Sequence, residues 1–295
     1  MSHVTVSEDL LPLAGNVTND ICTVDYYDFS LANSSYEARV QAVTKVASVC
    51  YQSPKSLGSI SLFDRLQAEA AGLPSSSYEF VPVLLSTVQL VEIVRLKLST
   101  HLEAKTKAAQ TTDVIKFGEY IHTDKGSYVL TNLRALIADI GPEASLNYLN
   151  TAPEEIQIIK DNFKVFLFNV DLSTRAQMVR HRCSWQELSR RYVSGKKQPF
   201  EFYVSEKMKG LEHECSNFGR YSTEHIIQTC IDHYNYAIAA GVKPEEARRI
   251  LPQAMKTTIW GAFQPTQLAN FFTLRLDKSA QREIRTVAEA MKELT

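Results

Sequence analysis

The sequence predicts an α+β protein, with a central sheet packed between helices. Residues 163–170 form an almost unbroken apolar run, Phe-Lys-Val-Phe-Leu-Phe-Asn-Val, which suits a buried strand. Around it, several longer segments carry apolar residues at helical spacing. There is no repeat of 20–50 residues and no low-complexity tail. With 295 residues, the chain can bury a large core, as one elaborated domain or two small ones.

Residues 1–35 are turn-rich and read as a strand with peripheral loops. Val40, Val43, Val46 and Ala47 give 37–51 an amphipathic helical pattern. A loop with Pro54 and Gly58 leads to a helix near 61–71, which Gly72-Leu73-Pro74 stops. Residues 81–98 are apolar but interrupted by Glu92, Arg95 and Lys97, so they predict a strand and a core helix, not a membrane span. A polar Lys/Thr-rich connector follows at 104–113, and then a helix at 131–139. After the strand at 163–170, Thr174 and Gln177 have capping-box spacing, predicting a short helix that carries Gln177, Arg180 and His181 forward. Helices are expected at 222–240 and 244–260, with Pro244 in a first turn. Two more are expected at 265–276 and 277–294, the last with Ile284, Val287, Ala288 and Met291 on one face.

Composition narrows the function. Apolar residues at 44% and charged residues at 22% are ordinary for a globular protein. A net charge of −1 argues against a general nucleic-acid binder. Five widely spaced cysteines, without a Cys-x-x-Cys pair, suit a reducing compartment. The N-terminus shows no basic-then-apolar leader, so the expectation is a soluble, cytoplasmic protein without membrane partners. There is no Gly-x-Gly-x-x-Gly loop, P-loop or Gly-x-Ser-x-Gly elbow. His213-Glu214-Cys215 lacks a following Pro-Cys-x-x-Cys, so no metal site is expected.

Arg180-His181-Arg182-Cys183-Ser184-Trp185-Gln186-Glu187-Leu188-Ser189-Arg190-Arg191-Tyr192 is the most informative stretch. Guanidinium groups suit bidentate recognition of phosphate and carboxylate oxygens, so four of them at the end of a core element point to a phosphorylated ligand. The pattern resembles the signature of the flavin-dependent thymidylate synthase (ThyX) family: Arg-His-Arg, seven residues, Ser, then Arg-Tyr. Here six residues separate Arg182 from Ser189, one fewer, next to Cys183. Gln177, Glu187 and Arg191-Tyr192 agree with the family's flanking anchors. A second block, from Ala247-Arg248-Arg249-Ile250-Leu251-Pro252 through Leu274-Arg275 to Ala280-Gln281-Arg282-Glu283-Ile284, resembles the family's C-terminal half. Val49-Cys50-Tyr51-Gln52 and Ser76-Ser77-Tyr78-Glu79-Phe80 are a weaker third echo. Against this pattern, 81–162 reads as an insertion before the signature, within a single domain of 1–295.

The resemblance implies a central mixed or antiparallel sheet of the family's type. It implies reductive methylation of deoxyuridylate (dUMP) to dTMP, with methylenetetrahydrofolate as carbon donor, FAD as redox carrier and NADPH as hydride source. It further implies a homotetramer whose active sites draw on several subunits. Carried over by position, Arg180, His181 and Arg182 meet FAD, and Arg180 also reaches the nucleotide. Gln177, Glu187, Ser189, Arg191, Arg248 and Arg275 fall at nucleotide-binding positions, with Arg248 at phosphate and Arg275 at the pyrimidine. Ser189 and Arg275 are the catalytic candidates; without an evident base Ser189 is assigned to positioning and polarising the ring. Ser76 and Asn270 match flavin-contact positions. Two usual flavin contacts are missing: no histidine precedes Ser76, and Gln264-Pro265-Thr266-Gln267-Leu268 replaces Asn-x-Arg-Ser-Leu. Asn132 and Arg134, in Asn132-Leu133-Arg134-Ala135-Leu136, repeat that spacing inside the insertion and are candidate replacements. The alternatives are a flavin-dependent paralogue that methylates or hydroxymethylates another pyrimidine deoxynucleotide such as dCMP, or a non-catalytic nucleotide-binding homologue.

Overall fold

In the computed structural model, residue 4 and residues 10–67, 74–97, 118–215 and 219–295 are described. The connector expected at 104–113, and the end of the helix expected at 61–71, lie outside them. The N-terminal region gives two strands where one was expected, β1 (Leu13–Thr18) and β2 (Thr23–Tyr27). The Asn19 side chain holds their turn, accepting from the Ile21 and Cys22 amides at 2.9 Å each. Helix α1 (Tyr36–Tyr51) starts on the Ser35 cap, and α2 (Ile60–Gln67) follows. Strand β3 (Pro82–Ser86) and helix α3 (Thr87–Lys97) match the expectation for 81–98.

Next come β4 (Glu119–Thr123), β5 (Gly126–Asn132), α4 (Leu133–Ile140), α5 (Pro142–Ser145) and α6 (Pro153–Asn162). The expected strand is β6 (Lys164–Asp171), followed by α7 (Leu172–Met178) and β7 (Ser184–Glu187). A hairpin of β8 (Glu212–Cys215) and β9 (Gly219–Ser222) takes up His213-Glu214-Cys215. The last elements are α8 (Thr223–Ala239), α9 (Pro244–Ala247), β10 (Lys256–Phe263), α10 (Pro265–Arg275) and α11 (Arg282–Glu293).

Three expectations are corrected. The helix at 244–260 is the largest error: α9 and a 3-10 turn at Arg248–Ile250 end before Pro252, and β10 follows. Thr257, Thr258, Ile259 and Trp260 are β-branched or aromatic and fill a central strand. Helix α7 starts earlier than the Thr174–Gln177 capping box, because the Asp171 carboxylate accepts from the Ser173 and Thr174 amides at 2.9 and 3.0 Å. Helix α11 begins only at Arg282, after a turn at 277–280.

The main sheet has the order β1-β2-β6-β10-β7, with every pair antiparallel. Alternation along β6 and β10 feeds two cores. On one face Phe166, Phe168, Ile259 and Phe263 pack against Ile284, Val287 and Met291 of α11. On the other, Val165, Trp260 and Ala262 join α1 and a second sheet, β3-β5-β4. Strand β7 crosses β10 closely at Gly261, where a Cβ would stand 2.7 Å from the Trp185 ring, so only glycine fits. Buried Arg39 ties the layers together: its Nε donates to Asn33 Oδ1 at 2.6 Å, and Nη2 donates to the Ser145 and Tyr148 carbonyls. Asn150 continues this network into β3, pairing with both backbone groups of Leu84.

Candidate active site

The turn after α7 is tightly tied. The His181 amide donates to the Met178 carbonyl at 3.0 Å. The His181 carbonyl accepts from the Cys183 amide at 3.0 Å and from Trp185 Nε1 at 3.1 Å. This closes the shortened loop at Cys183, whose thiol is pushed up by burial and then by Glu79. It also turns His181 inward, 7% exposed, while Arg180 and Arg182 face solvent.

Helix α10 ends beside this turn, and a groove of about 450 Å³ opens between them. Arg180, His181, Arg182, Asn270 and Arg275 line it, together with Thr266, Gln267 and Leu274. Arg275 spans the two walls, donating from Nε to His181 Nε2 at 2.8 Å and from Nη2 to the Gln177 carbonyl at 3.1 Å. Gln177 is held in turn, its Nε2 donating to Gln281 Oε1 at 2.7 Å. The His181 ring lies 4.6 Å from that of Phe271. Burial, then the neighbouring Arg275, lowers the His181 pKa. Burial, then Arg180, lowers that of Arg275. Three guanidiniums and no carboxylate line the groove, so it suits an anion.

A second group of candidates lies at the end of β7. The Glu187 carboxylate is ion-paired with Arg175 and accepts from Thr257 Oγ1 at 3.2 Å. Ser189 is anchored by its amide to the Cys50 carbonyl at 3.2 Å, and its hydroxyl has no hydrogen-bond partner among the described residues. Arg191 reaches Glu245 of α9 at 3.4 Å, one turn before the exposed Arg248. Within one chain Glu187, Ser189, Arg191 and Arg248 do not line the groove that holds Arg275. Sequence reasoning missed Arg175 and Thr257, which fix Glu187. Arg175 lies two residues before Gln177, and nothing in that spacing marks it.

The remaining candidates have their side chains engaged elsewhere. Ser76 Oγ donates to Gln186 Oε1 at 2.5 Å. Asn132 caps α4, accepting from the Ala135 amide at 3.0 Å. Arg134 is ion-paired with Glu79 and donates from Nε to the Pro74 carbonyl at 2.8 Å. As lost flavin contacts, Asn132 and Arg134 would have to serve from outside the groove, so their sequence spacing is matched here by structural tasks. Among the described residues no cluster of His, Cys, Asp and Glu could hold a metal, and no helix is long and apolar enough to cross a membrane.

The donor set fits a phosphate-bearing cofactor: Arg180, Arg182 and Asn270 are exposed on the groove, and none has a hydrogen-bond partner among the described residues. Comparisons with known proteins bear on the same half of the chain. Residues 161–295, from the end of α6 onward, match the family model described as "Thymidylate synthase complementing protein" (Thy1). A flavin-dependent thymidylate synthase of Aquifex aeolicus is 34% identical over 145 residues, 45% of this chain and 45% of its own. One from Geobacter sulfurreducens is 35% identical over 133 residues, 44% of this chain and 55% of its own. The chain thus spans about half the length of the curated relatives it matches. A crystal structure of the UMP/dUMP methylase PolB from Streptomyces cacaoi aligns at 24% identity with a TM-score of 0.36, over 44% of this chain and 67% of that one.

Proposed function

We propose that the chain, whose residues 161–295 match the thymidylate synthase complementing protein (Thy1) family model, is a member of that family and a flavin-dependent thymidylate synthase. It would methylate dUMP to dTMP, taking carbon from methylenetetrahydrofolate and hydride from NADPH. The observation that carries this reading is the groove whose arginines keep donors unspent among the described residues: Arg180 and Arg182 entirely, Arg275 at Nη1. FAD would be held there by Arg180, His181, Arg182 and Asn270, and when bound it supplies the redox chemistry. Ser76, Asn132 and Arg134 are further candidates for the same cofactor, and flavin affinity of Arg134→Ala decides their part.

Arg275 would donate to a pyrimidine oxygen, where charge develops as the ring is activated. Gln177 lies behind it. Glu187, fixed by Arg175 and Thr257, would accept from the nucleotide, and Ser189, with a free hydroxyl and no base, would polarise the ring. Arg191 and Arg248 would take the phosphate.

Because these two groups line different places in one chain, we further propose that a complete site forms between copies, in a homotetramer. The whole of 1–295 reads as one domain of the family's fold, with 81–162 inserted; β3, β5 and α1 share one apolar core in support. Five cysteines with no disulfide between them accord with work in the reducing cytoplasm. Mixing Ser189→Ala with Arg275→Ala tests the shared site: the account predicts that activity returns on mixing two inactive variants, and no recovery rejects sharing. The alternative substrate, another pyrimidine deoxynucleotide such as dCMP, is favoured by the tightened Cys183 turn beside the groove, and competition of dCMP with dUMP separates the two.

A further inference from the structure

Arg275 fixes the position of a proton it does not carry. An arginine only donates, so His181 Nε2, 2.8 Å from Arg275 Nε, must present a lone pair, and the ring proton must sit on Nδ1. We infer that His181 is a positioning residue for Arg275: neutral and protonated on Nδ1, it accepts from Nε and leaves Nη1 for the ligand of the groove. That this ligand is a pyrimidine nucleotide rests on the function proposed above; the tautomer and its coupling to Arg275 do not.

The ring is held in place. It is buried against Phe271 at 4.6 Å, and its backbone amide and carbonyl are both engaged in the turn. Arg275 is held on its other side by the Gln177 carbonyl. Two of its three guanidinium nitrogens are therefore spent on the protein, and Nη1 has no hydrogen bond among the described residues. The same tautomer leaves the His181 Nδ1–H without an acceptor among the described residues, so the ring is also a donor.

Protonation would undo this arrangement. Nε2 would become a donor facing a donor, and two cations would meet, with Arg180 and Arg182 flanking them on the same groove. No acid lines the groove to offset that charge, and Glu79, which acts on Cys183, is already paired with Arg134. Burial and Arg275 both lower the histidine's pKa. The contact is therefore intact at neutral pH and is lost as the pH falls through that lowered value.

Two measurements on the full chain test the inference. In the first, two-bond nitrogen–proton NMR on protein with ¹⁵N-labelled histidine reads the tautomer directly, with His181 assigned by its loss in His181→Gln. The expected pattern at about pH 7 is neutral Nδ1–H, mixing with Nε2–H in Arg275→Ala. A charged ring or a pure Nε2–H pattern overturns the inference.

In the second, deoxyuridylate binding to FAD-loaded protein is measured by calorimetry from about pH 8 to about pH 5.5. His181→Gln keeps an acceptor near Nε2 and does not titrate, while His181→Phe removes the acceptor. Wild type should lose more affinity toward the acid end of this range than His181→Gln, a comparison in which protonation of the nucleotide's own phosphate cancels. His181→Phe should bind about tenfold more weakly than His181→Gln near pH 8. Equal pH slopes for wild type and His181→Gln, or wild-type binding by His181→Phe, overturn the coupling. An Nδ1–H pattern with no deoxyuridylate binding by any form would reject the proposed substrate and leave the His181–Arg275 pair standing.

Discussion

At the start of α4, Asn132 caps its own helix and Arg134 is spent on Glu79 and the Pro74 carbonyl. At the end of α7, Arg180 and Arg182 bond to nothing among the described residues and face a groove. Both stretches carry the residue types that bind phosphates, and in sequence they are equally suggestive. The difference between them is whether the donors are used up inside the fold. Arg39 is the extreme case of internal use, 1% exposed, with Nε and Nη2 donating to Asn33, Ser145 and Tyr148 and Nη1 buried where no ligand reaches it. An arginine whose donors are spent internally holds the architecture; one whose donors remain is available to a ligand.

Substitutions can break this contrast. The largest effect is expected at Arg39→Ala, which strands Asn33 and two carbonyls in the core and should cost about 3 kcal/mol or more. Urea unfolding checks it, and a change below about 1 kcal/mol would mean the network relaxes or admits water. Next, Arg180→Ala should lower flavin affinity about 10- to 100-fold while leaving the melting temperature nearly unchanged, as expected for a charged donor that acts only on a ligand. Arg134→Ala should do the reverse, costing about 1 kcal/mol of stability or less without weakening flavin binding. A tenfold loss of flavin affinity there would place Arg134 with the cofactor after all. A stability effect of the same small order, about 1 kcal/mol from the lost cap, is expected at Asn132→Ala and is read by thermal melting.

Much of the fold was legible because period and punctuation agreed. The run at 163–170 became β6, and the helical spacing at 37–51, 222–240 and 265–276 became α1, α8 and α10. Strand β10 was misread because Pro244 opens a helix convincingly and apolar residues continue beyond it. The corrective signals were Pro252 and the β-branched run Thr257-Thr258-Ile259. The β4–β5 hairpin escaped notice although Asp124-Lys125-Gly126 separates two segments rich in aromatic and β-branched residues. In the site, motif spacing picked out Arg180, His181, Arg182, Asn270 and Arg275, which do share a groove. The contact of Thr257 with Glu187 was not legible because it depends on β10 lying beside β7, and Arg175 reaches Glu187 only once α7 and β7 are folded together.

We propose that the unspent arginines of the groove hold a flavin next to a pyrimidine nucleotide. The visible spectrum of FAD-reconstituted protein, titrated with deoxyuridylate, tests it most directly. The account predicts a bound flavin band that shifts as the nucleotide is added, and that no longer shifts in Arg275→Ala. Failure to retain FAD, or a band indifferent to deoxyuridylate in the unmodified protein, would contradict it.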